Sequence, residues 1–179
     1  IASWQDADVR GRILFFHHPP YVTEATKWKQ GQTLAIRHHL RQVLDAVLVE
    51  VAEITQGQPL LNLVLCGHAH CLEYLKTLDT GHGDAHIPWV VCGGSGYSLR
   101  RQRAAGSELT ERVDGEEKPV ASSRLFVGRS GKGSTLKRPY SGLRIDVADG
   151  TPLKLSITPV LAEKLPDKWH PHTLKTIEL

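Results

Sequence analysis

The chain has no methionine, only three cysteines among its 179 residues and no apolar run long enough for a membrane helix. A membrane helix needs roughly 18 consecutive apolar residues, so we expect no membrane span. An odd and small number of cysteines argues against a disulfide framework and favours a reducing compartment, and we therefore expect a cytoplasmic location. No basic and apolar leader pattern opens the sequence, so a secretory signal is not predicted.

The chain also lacks a large excess of either charge sign. The 22 Lys and Arg residues nearly balance the 19 Asp and Glu residues, and the net charge of +3 is too small to indicate a nucleic-acid partner. Hydrophobic residues make up 40% of the chain and charged residues 23%, which is typical of a folded globular protein. A length of 179 residues suits one domain with its own core.

Histidine, by contrast, follows two apolar runs directly. The run Arg12–Phe16 continues into His-His-Pro-Pro-Tyr, and the run Leu61–Cys66 continues into Gly-His-Ala-His. Both runs read as short buried strands. In the second motif, His68 and His70 stand at i and i+2, which places both on one side of an extended backbone. Because neutral imidazole is the commonest protein ligand of transition metals, we predict a metal site at His17, His68 and His70.

A helix is predicted between the two strands. Over Thr33–Gln56 the apolar residues recur at helical spacing, with Thr33 as the expected cap and Gly57 as the stop. Arg37 and Arg41 are expected on its polar face. A strand, a helix and a strand indicate a β-α-β unit with parallel strands, whose carboxyl ends meet at one edge of the sheet. This edge is where both histidine motifs are expected.

Two residues of the first motif are candidates for substrate binding. Neighbouring side chains alternate along an extended backbone, so one of His17 and His18 is expected to point away from the metal. His18 and Tyr21 are therefore taken as possible contacts of the substrate rather than of the ion.

Two other groups have ligand-like spacing. Cys66 and Cys71 flank the second histidine motif, which leaves open a structural zinc site with mixed Cys and His ligands. The residues His82, Asp84 and His86 could also ligate a metal by spacing alone. They lie in a Gly-rich stretch, and we expect them to form a solvated loop.

The rest of the chain predicts further strands. Trp89–Cys92 reads as a third strand, followed by a glycine-rich loop at Gly93–Tyr97. Residues 98–138 are expected to form a basic loop region, in which only Arg124–Gly128 has strand character.

The last part of the chain is expected to be antiparallel. Leu143–Val147 and Leu153–Pro159 alternate apolar and polar residues around Asp149-Gly150, a favourable hairpin turn. The fold class is therefore α/β, in a single domain over residues 1–179. That domain has a β-α-β-β core at 12–97, the basic loop region at 98–138, and C-terminal strands and a tail at 139–179.

A strand ending in His-His-Pro-Pro-Tyr, a helix and a strand ending in Gly-His-Ala-His resemble the C-terminal half of the calcineurin-like metallophosphoesterases. The resemblance covers residues 12 to 97. It implies the C-terminal part of a four-layer αββα sandwich and the hydrolysis of phosphate monoesters or diesters. It also implies a dinuclear centre of Mn, Fe or Zn, in which His17 and His68 would bind one ion and His70 the other.

The family's other motifs, D-x-H, G-D-x-x-D and G-N-H-[DE], do not occur in this sequence. We therefore expect the chain to be the C-terminal portion of a longer protein, whose N-terminal half carries the remaining metal ligands. No catalytic residue is assigned from the sequence. The competing expectation is a binding scaffold that has the same fold and no activity.

Overall fold

The computed structural model describes residues 1–96, 98–150 and 153–179. Two α-helices lie in this part of the chain, α1 (Ala2–Gln5) and α2 (Gly31–Thr55), with a short 3-10 turn at Gly133–Thr135. The strands are β1 (Ile13–Phe16), β2 (Leu63–Cys66), β3 (Leu72–Thr77), β4 (Pro88–Cys92), β5 (Glu108–Val113), β6 (Glu116–Val127), β7 (Tyr140–Ala148), β8 (Lys154–Lys164), β9 (Trp169–Thr173) and β10 (Ile177–Glu178).

Six strands form a mixed sheet in the order β1-β2-β4-β3-β6-β5. The strands β1, β2 and β4 are parallel, and β3, β6 and β5 continue the sheet in antiparallel fashion. The predicted β-α-β unit is confirmed, because β1 and β2 pair in parallel and α2 connects them. In the register, Phe16 is the partner of Cys66, so both strands end at the same edge.

Helix α2 begins two residues before the predicted start. Its N-cap is Gln30, so the expected cap at Thr33 is wrong, and Thr33 lies buried in the first turn. The helix ends where Gln56 and Gly57 adopt left-handed backbone, with φ of 50° and 79°. Arg37 is 5% exposed, which corrects its expected place on the polar face. Arg37 lies four residues after Thr33, and this spacing puts both on the buried face of the helix.

The residues form three layers. One apolar cluster, which includes Leu44, Val51 and Trp89, packs α2 against the six-stranded sheet. A second cluster, which includes Leu63 and Ile157, packs the other face of that sheet against the second sheet. The protein is thus an α/β fold with a mixed sheet and an antiparallel sheet.

The second sheet is built around β8. The strands β7, β9 and β10 all pair with it in antiparallel fashion. The pairing of β7 with β8 confirms the predicted hairpin around Asp149-Gly150, although Thr151 and Pro152 lie outside the described residues. Tyr97, in the loop predicted after β4, is also outside them.

Part of the expected basic loop region is instead a hairpin. The strands β5 and β6 pair on either side of Asp114 and Gly115, whose φ angles of 53° and 87° suit a two-residue hairpin turn. Asp-Gly is the strongest short-range hairpin signal, so the sequence carried this information. In the described part of the chain, no helix is long and apolar enough to span a membrane.

Candidate metal centre

The two histidine motifs meet at the carboxyl edge of β1 and β2. Beyond the last paired residues of these strands, the backbone N–H of Gly67 donates a hydrogen bond to the carbonyl of His17 at 2.9 Å. This bond extends the pairing of the two strands by one step. It therefore places the loop after β2 directly beside the loop after β1.

Three imidazoles gather at this edge. Ligand atoms of His17, His18 and His68 all lie within 4.8 Å of one another. Nδ1 of His68 is 3.3 Å from Nε2 of His17. The ring of His68 lies 5.2 Å from that of His17 and 4.1 Å from that of His18, measured between centroids. In the described part of the chain, this is the only group of three potential metal-binding side chains.

The inclusion of His18 corrects the expectation from strand alternation. The strand β1 ends at Phe16, and the chain bends at His17 and His18. Alternation applies only to extended backbone, so it does not separate these two neighbours.

The second motif is not extended either. His68 has a φ of 60°, in the left-handed region that is uncommon for residues other than glycine. Such backbone costs about 1–3 kcal/mol and is concentrated at functional sites. His70 lies outside the three-histidine group and its side chain is exposed. The predicted shared side of His68 and His70 therefore does not form, since the chain turns between them.

The donor atoms fit a metal ion. Nε2 of His68 is buried and, among the described residues, has no hydrogen-bond partner. Burial lowers the pKa of His68, and the charge of Lys27 and the neighbouring imidazoles lower it further. A lowered pKa favours the neutral imidazole, which is the form that binds metals.

Among the described residues, no cysteine is grouped with the histidines as a mixed zinc site would require. Burial raises the pKa of Cys66 to about 12, and burial raises that of Cys71 well above its ordinary value. In the metal-free protein, burial therefore favours the neutral form of both thiols. All three cysteines are free, and none belongs to the three-histidine group.

Tyr21 is not available to a substrate. Its side chain is fully buried, and its hydroxyl donates to the Asp84 carboxylate and accepts from Nη2 of Arg41 at 2.6 Å. Burial, and then the charge of Asp84, raise the pKa of Tyr21 far above its ordinary value. The phenol is a core group with both hydrogen-bonding functions engaged, which corrects its expected substrate contact.

Two arginines anchor the first histidine motif to the helix. Nε of Arg37 donates to the carbonyl of Pro20 at 2.9 Å, and its guanidinium also pairs with Glu111 on β5. Arg41 pairs with Asp84 at 3.0 Å and with Glu111 at 2.7 Å. We call these groups, together with Tyr21, the arginine network. It ties the segment after His17 and His18 to α2 and to the far edge of the sheet.

A second anchor lies on β3. The carboxylate of Glu73 accepts from the backbone N–H of Thr23 at 2.9 Å and from its hydroxyl at 2.5 Å. Both residues are fully buried, and burial raises the pKa of Glu73. Sequence inspection missed this contact, because an isolated Glu in an apolar strand does not reveal its partner.

The group His82, Asp84 and His86 is not a solvated loop throughout. Asp84 is fully buried and accepts from the Thr80 hydroxyl at 2.6 Å, in addition to its place in the arginine network. Nδ1 of His82 lies 2.9 Å from the Asp45 carboxylate on α2. Asp84 and His82 thus use their polar atoms on neighbouring side chains of the protein, which is the pattern of a structural contact, whereas His86 is exposed.

Comparison with known proteins adds no assignment, since no family model, curated protein or solved structure matches the chain.

Proposed function

We propose that this edge of the sheet supplies histidine ligands to a metal centre that hydrolyses phosphate esters. The observation that supports it most is the convergence of three imidazoles from the ends of two parallel strands. Among the described residues, the buried Nε2 of His68 also lacks a hydrogen-bond partner. Ligand sites in sheets of this kind favour the edge beyond the carboxyl ends of the parallel strands.

Each histidine has a distinct part in the proposal. His17 and His68 hold one ion, as their nitrogen atoms already face each other at 3.3 Å. His70 follows two residues later, outside this pair, and holds a second ion. His18 lies against the ring of His68 and contacts the phosphate of the substrate.

A pair of such ions lowers the pKa of bound water and neutralises charge on the phosphoryl oxygens. Mn, Fe or Zn suits imidazole ligands completed by carboxylates. The residues of this chain orient the ligands. The arginine network and the contact of Glu73 with Thr23 fix the segment that follows the upstream histidines.

The remaining ligands are proposed to come from an N-terminal half of the same protein. With that half, the helix and two sheets described above would form part of a four-layer αββα sandwich. The three free thiols support the proposed cytoplasmic location.

Metal content and turnover of the intact protein test the proposal. We expect about two equivalents of Mn, Fe or Zn per chain by elemental analysis, and cleavage of p-nitrophenyl phosphate or its bis-ester. The variant His70→Ala should lose about one equivalent and at least tenfold in turnover while keeping its fold. His38→Ala, which removes an exposed histidine of α2, is the matched control and should change neither quantity.

Two results would contradict the proposal. A metal-free protein without turnover in added Mn would favour the inactive binding scaffold. Full metal content and activity in His70→Ala would remove that residue from the centre and leave only the three-histidine group.

A further inference from the structure

Two large aromatic side chains stand exposed on the second sheet. Tyr140 is 36% exposed and Trp169 is 48% exposed. Their ring centroids are 5.4 Å apart and the ring planes are inclined by 35°. The two rings therefore form one continuous aromatic surface.

The strand register explains why they meet on the outside. Tyr140 pairs with Ala162 on one side of β8, and Trp169 pairs with Lys164 on the other. Positions 162 and 164 share a face of the strand, because side chains alternate. Leu161, one position before Ala162 and therefore on the opposite face, is buried between the sheets. The aromatic pair therefore lies on the outer face of the second sheet.

The pair lines a pocket with a basic rim. The cavity measures about 370 Å³ and lies where β7 begins and β8 ends. Lys137, Arg138 and Lys164 line it, against a single acidic residue, Glu163. Among the described residues, none of the three cationic side chains forms an ion pair or a side-chain hydrogen bond.

We propose that this pocket, formed by Tyr140, Trp169, Lys137, Arg138 and Lys164, binds a nucleotide. Aromatic side chains stack nucleobases, and neighbouring Lys and Arg bind the phosphates. A purely apolar ligand would leave the three cations of the rim without a negative partner. An inorganic anion alone would leave the aromatic surface unused. A ligand that combines a flat aromatic ring with negative charge uses both.

The volume and the site's accessibility are consistent with this ligand class. Small-molecule sites generally have volumes of about 300–1,000 Å³, with a few polar groups that fix orientation. The backbone around the pocket is well held, since Lys137 exchanges two backbone hydrogen bonds with Ser130, at 2.9 and 3.1 Å. The cation at position 137 is thus presented from a fixed loop.

Equilibrium binding to the full protein tests the inference. Isothermal titration with ATP and with tripolyphosphate should be carried out in EDTA, so that ions at the proposed metal centre do not contribute. The inference then holds or fails whether or not the protein hydrolyses phosphate esters. We expect ATP to bind more tightly than tripolyphosphate, because only ATP can stack.

The variants separate stacking from charge. Trp169→Ala should weaken ATP binding about tenfold and leave tripolyphosphate binding unchanged, and Trp169→Phe should restore most of the loss. Lys164→Gln should weaken both ligands by a few-fold. Lys175→Gln removes an exposed lysine outside the pocket and should change neither. Thermal unfolding checks that each variant is folded.

Three outcomes would overturn the inference. The first is no binding of ATP at millimolar concentration, and the second is ATP binding no tighter than that of tripolyphosphate. The third is equal ATP affinity in Trp169→Ala and the unchanged protein, which would make the aromatic pair a cross-strand packing contact only.

Discussion

Two short segments of this protein carry potential metal ligands at alternate positions, and the structure surrounds them differently. The first is Gly67–Cys71, which contains His68 and His70. The second is Thr80–His86, which contains His82 and His86 on either side of Asp84. By spacing alone, either segment could hold a metal ion. Their surroundings in the fold distinguish them.

In the first segment, a polar atom is left without a partner. Nε2 of His68 is buried and, within the described residues, accepts and donates nothing. The backbone at His68 is left-handed, and ligand atoms of His17 and His18 lie within 4.8 Å of a ligand atom of His68. A buried nitrogen atom without a hydrogen-bond partner is unfavourable, and a bound cation would satisfy it.

In the second segment, Asp84 and His82 are satisfied from within the protein, while His86 is exposed. Asp84 is bonded to Tyr21, Arg41 and Thr80, and His82 faces Asp45. The difference shows that ligand capacity depends on what the remainder of the fold leaves unpaired. The spacing of histidines in the sequence does not contain that information.

The largest effect, on the free energy of unfolding, is expected from Asp84→Ala, which removes the hydrogen bonds of the second segment's buried carboxylate. The change leaves the Tyr21 hydroxyl without its acceptor and removes one of the two carboxylates that neutralise Arg41, whose side chain is only 12% exposed. Removing one member of a buried ion pair costs about 3–5 kcal/mol. Urea unfolding followed by circular dichroism should show a loss of this size.

The control for Asp84 is Asp146→Ala on the second sheet. The pair of Asp146 with Arg144 is exposed on both sides, at 48% and 63%, and such pairs contribute at most about 1 kcal/mol. Similar losses in the two variants would mean that Asp84 lies in a solvated loop after all, as the sequence predicted.

A smaller effect, on metal affinity, is expected from His68→Ala. In Co²⁺ titrations monitored by visible absorption, the affinity of the intact protein should fall about 100-fold, equivalent to about 2.7 kcal/mol. His82→Ala is the matched change in the other segment and should leave the affinity unchanged. Equal losses in both variants, or none in either, would remove the distinction between the segments.

The comparison also shows how far sequence inspection reaches. The parallel strands β1 and β2, the helix between them and the edge where the histidines meet follow from apolar periodicity and from the handedness of β-α-β units. Helices and strands are regular structures, and they therefore leave a periodic pattern of apolar residues in the sequence. His18 belongs to the three-histidine group and His70 does not, because the chain bends after the last residues of both strands. The alternation of side chains along a strand does not predict such bends.

Buried polar contacts are the other feature that the sequence does not predict. Arg37 falls at a buried helical position and Asp84 lies in a Gly-rich loop, and each is stabilised by partners more than 40 residues away in sequence. Burial of a charge is stable only with those partners, and a single sequence does not identify them. The hairpin at Asp114 could have been found, because the same Asp-Gly signal correctly predicted the hairpin of β7 and β8.

The smallest effect is expected from Asp45→Asn, which tests how firmly His82 is engaged. Burial opposes ionisation of Asp45, but the N–H of Gly83 and the imidazole of His82 outweigh it and lower the pKa of the carboxyl. A lowered pKa in the folded state stabilises the protein above the unfolded value of about 3.9, and this contribution is lost as the pH falls through the folded value. At pH 7 the variant should therefore be less stable, by under about 1 kcal/mol because the pair is partly exposed. At pH 3 the difference in unfolding free energy should shrink, as urea unfolding at both pH values would show.

The control is Asp167→Asn, at an exposed position, which should change the unfolding free energy equally at both pH values. A pH-independent difference for Asp45→Asn would mean that its carboxylate does not hold His82, leaving that histidine as free for a metal as His68.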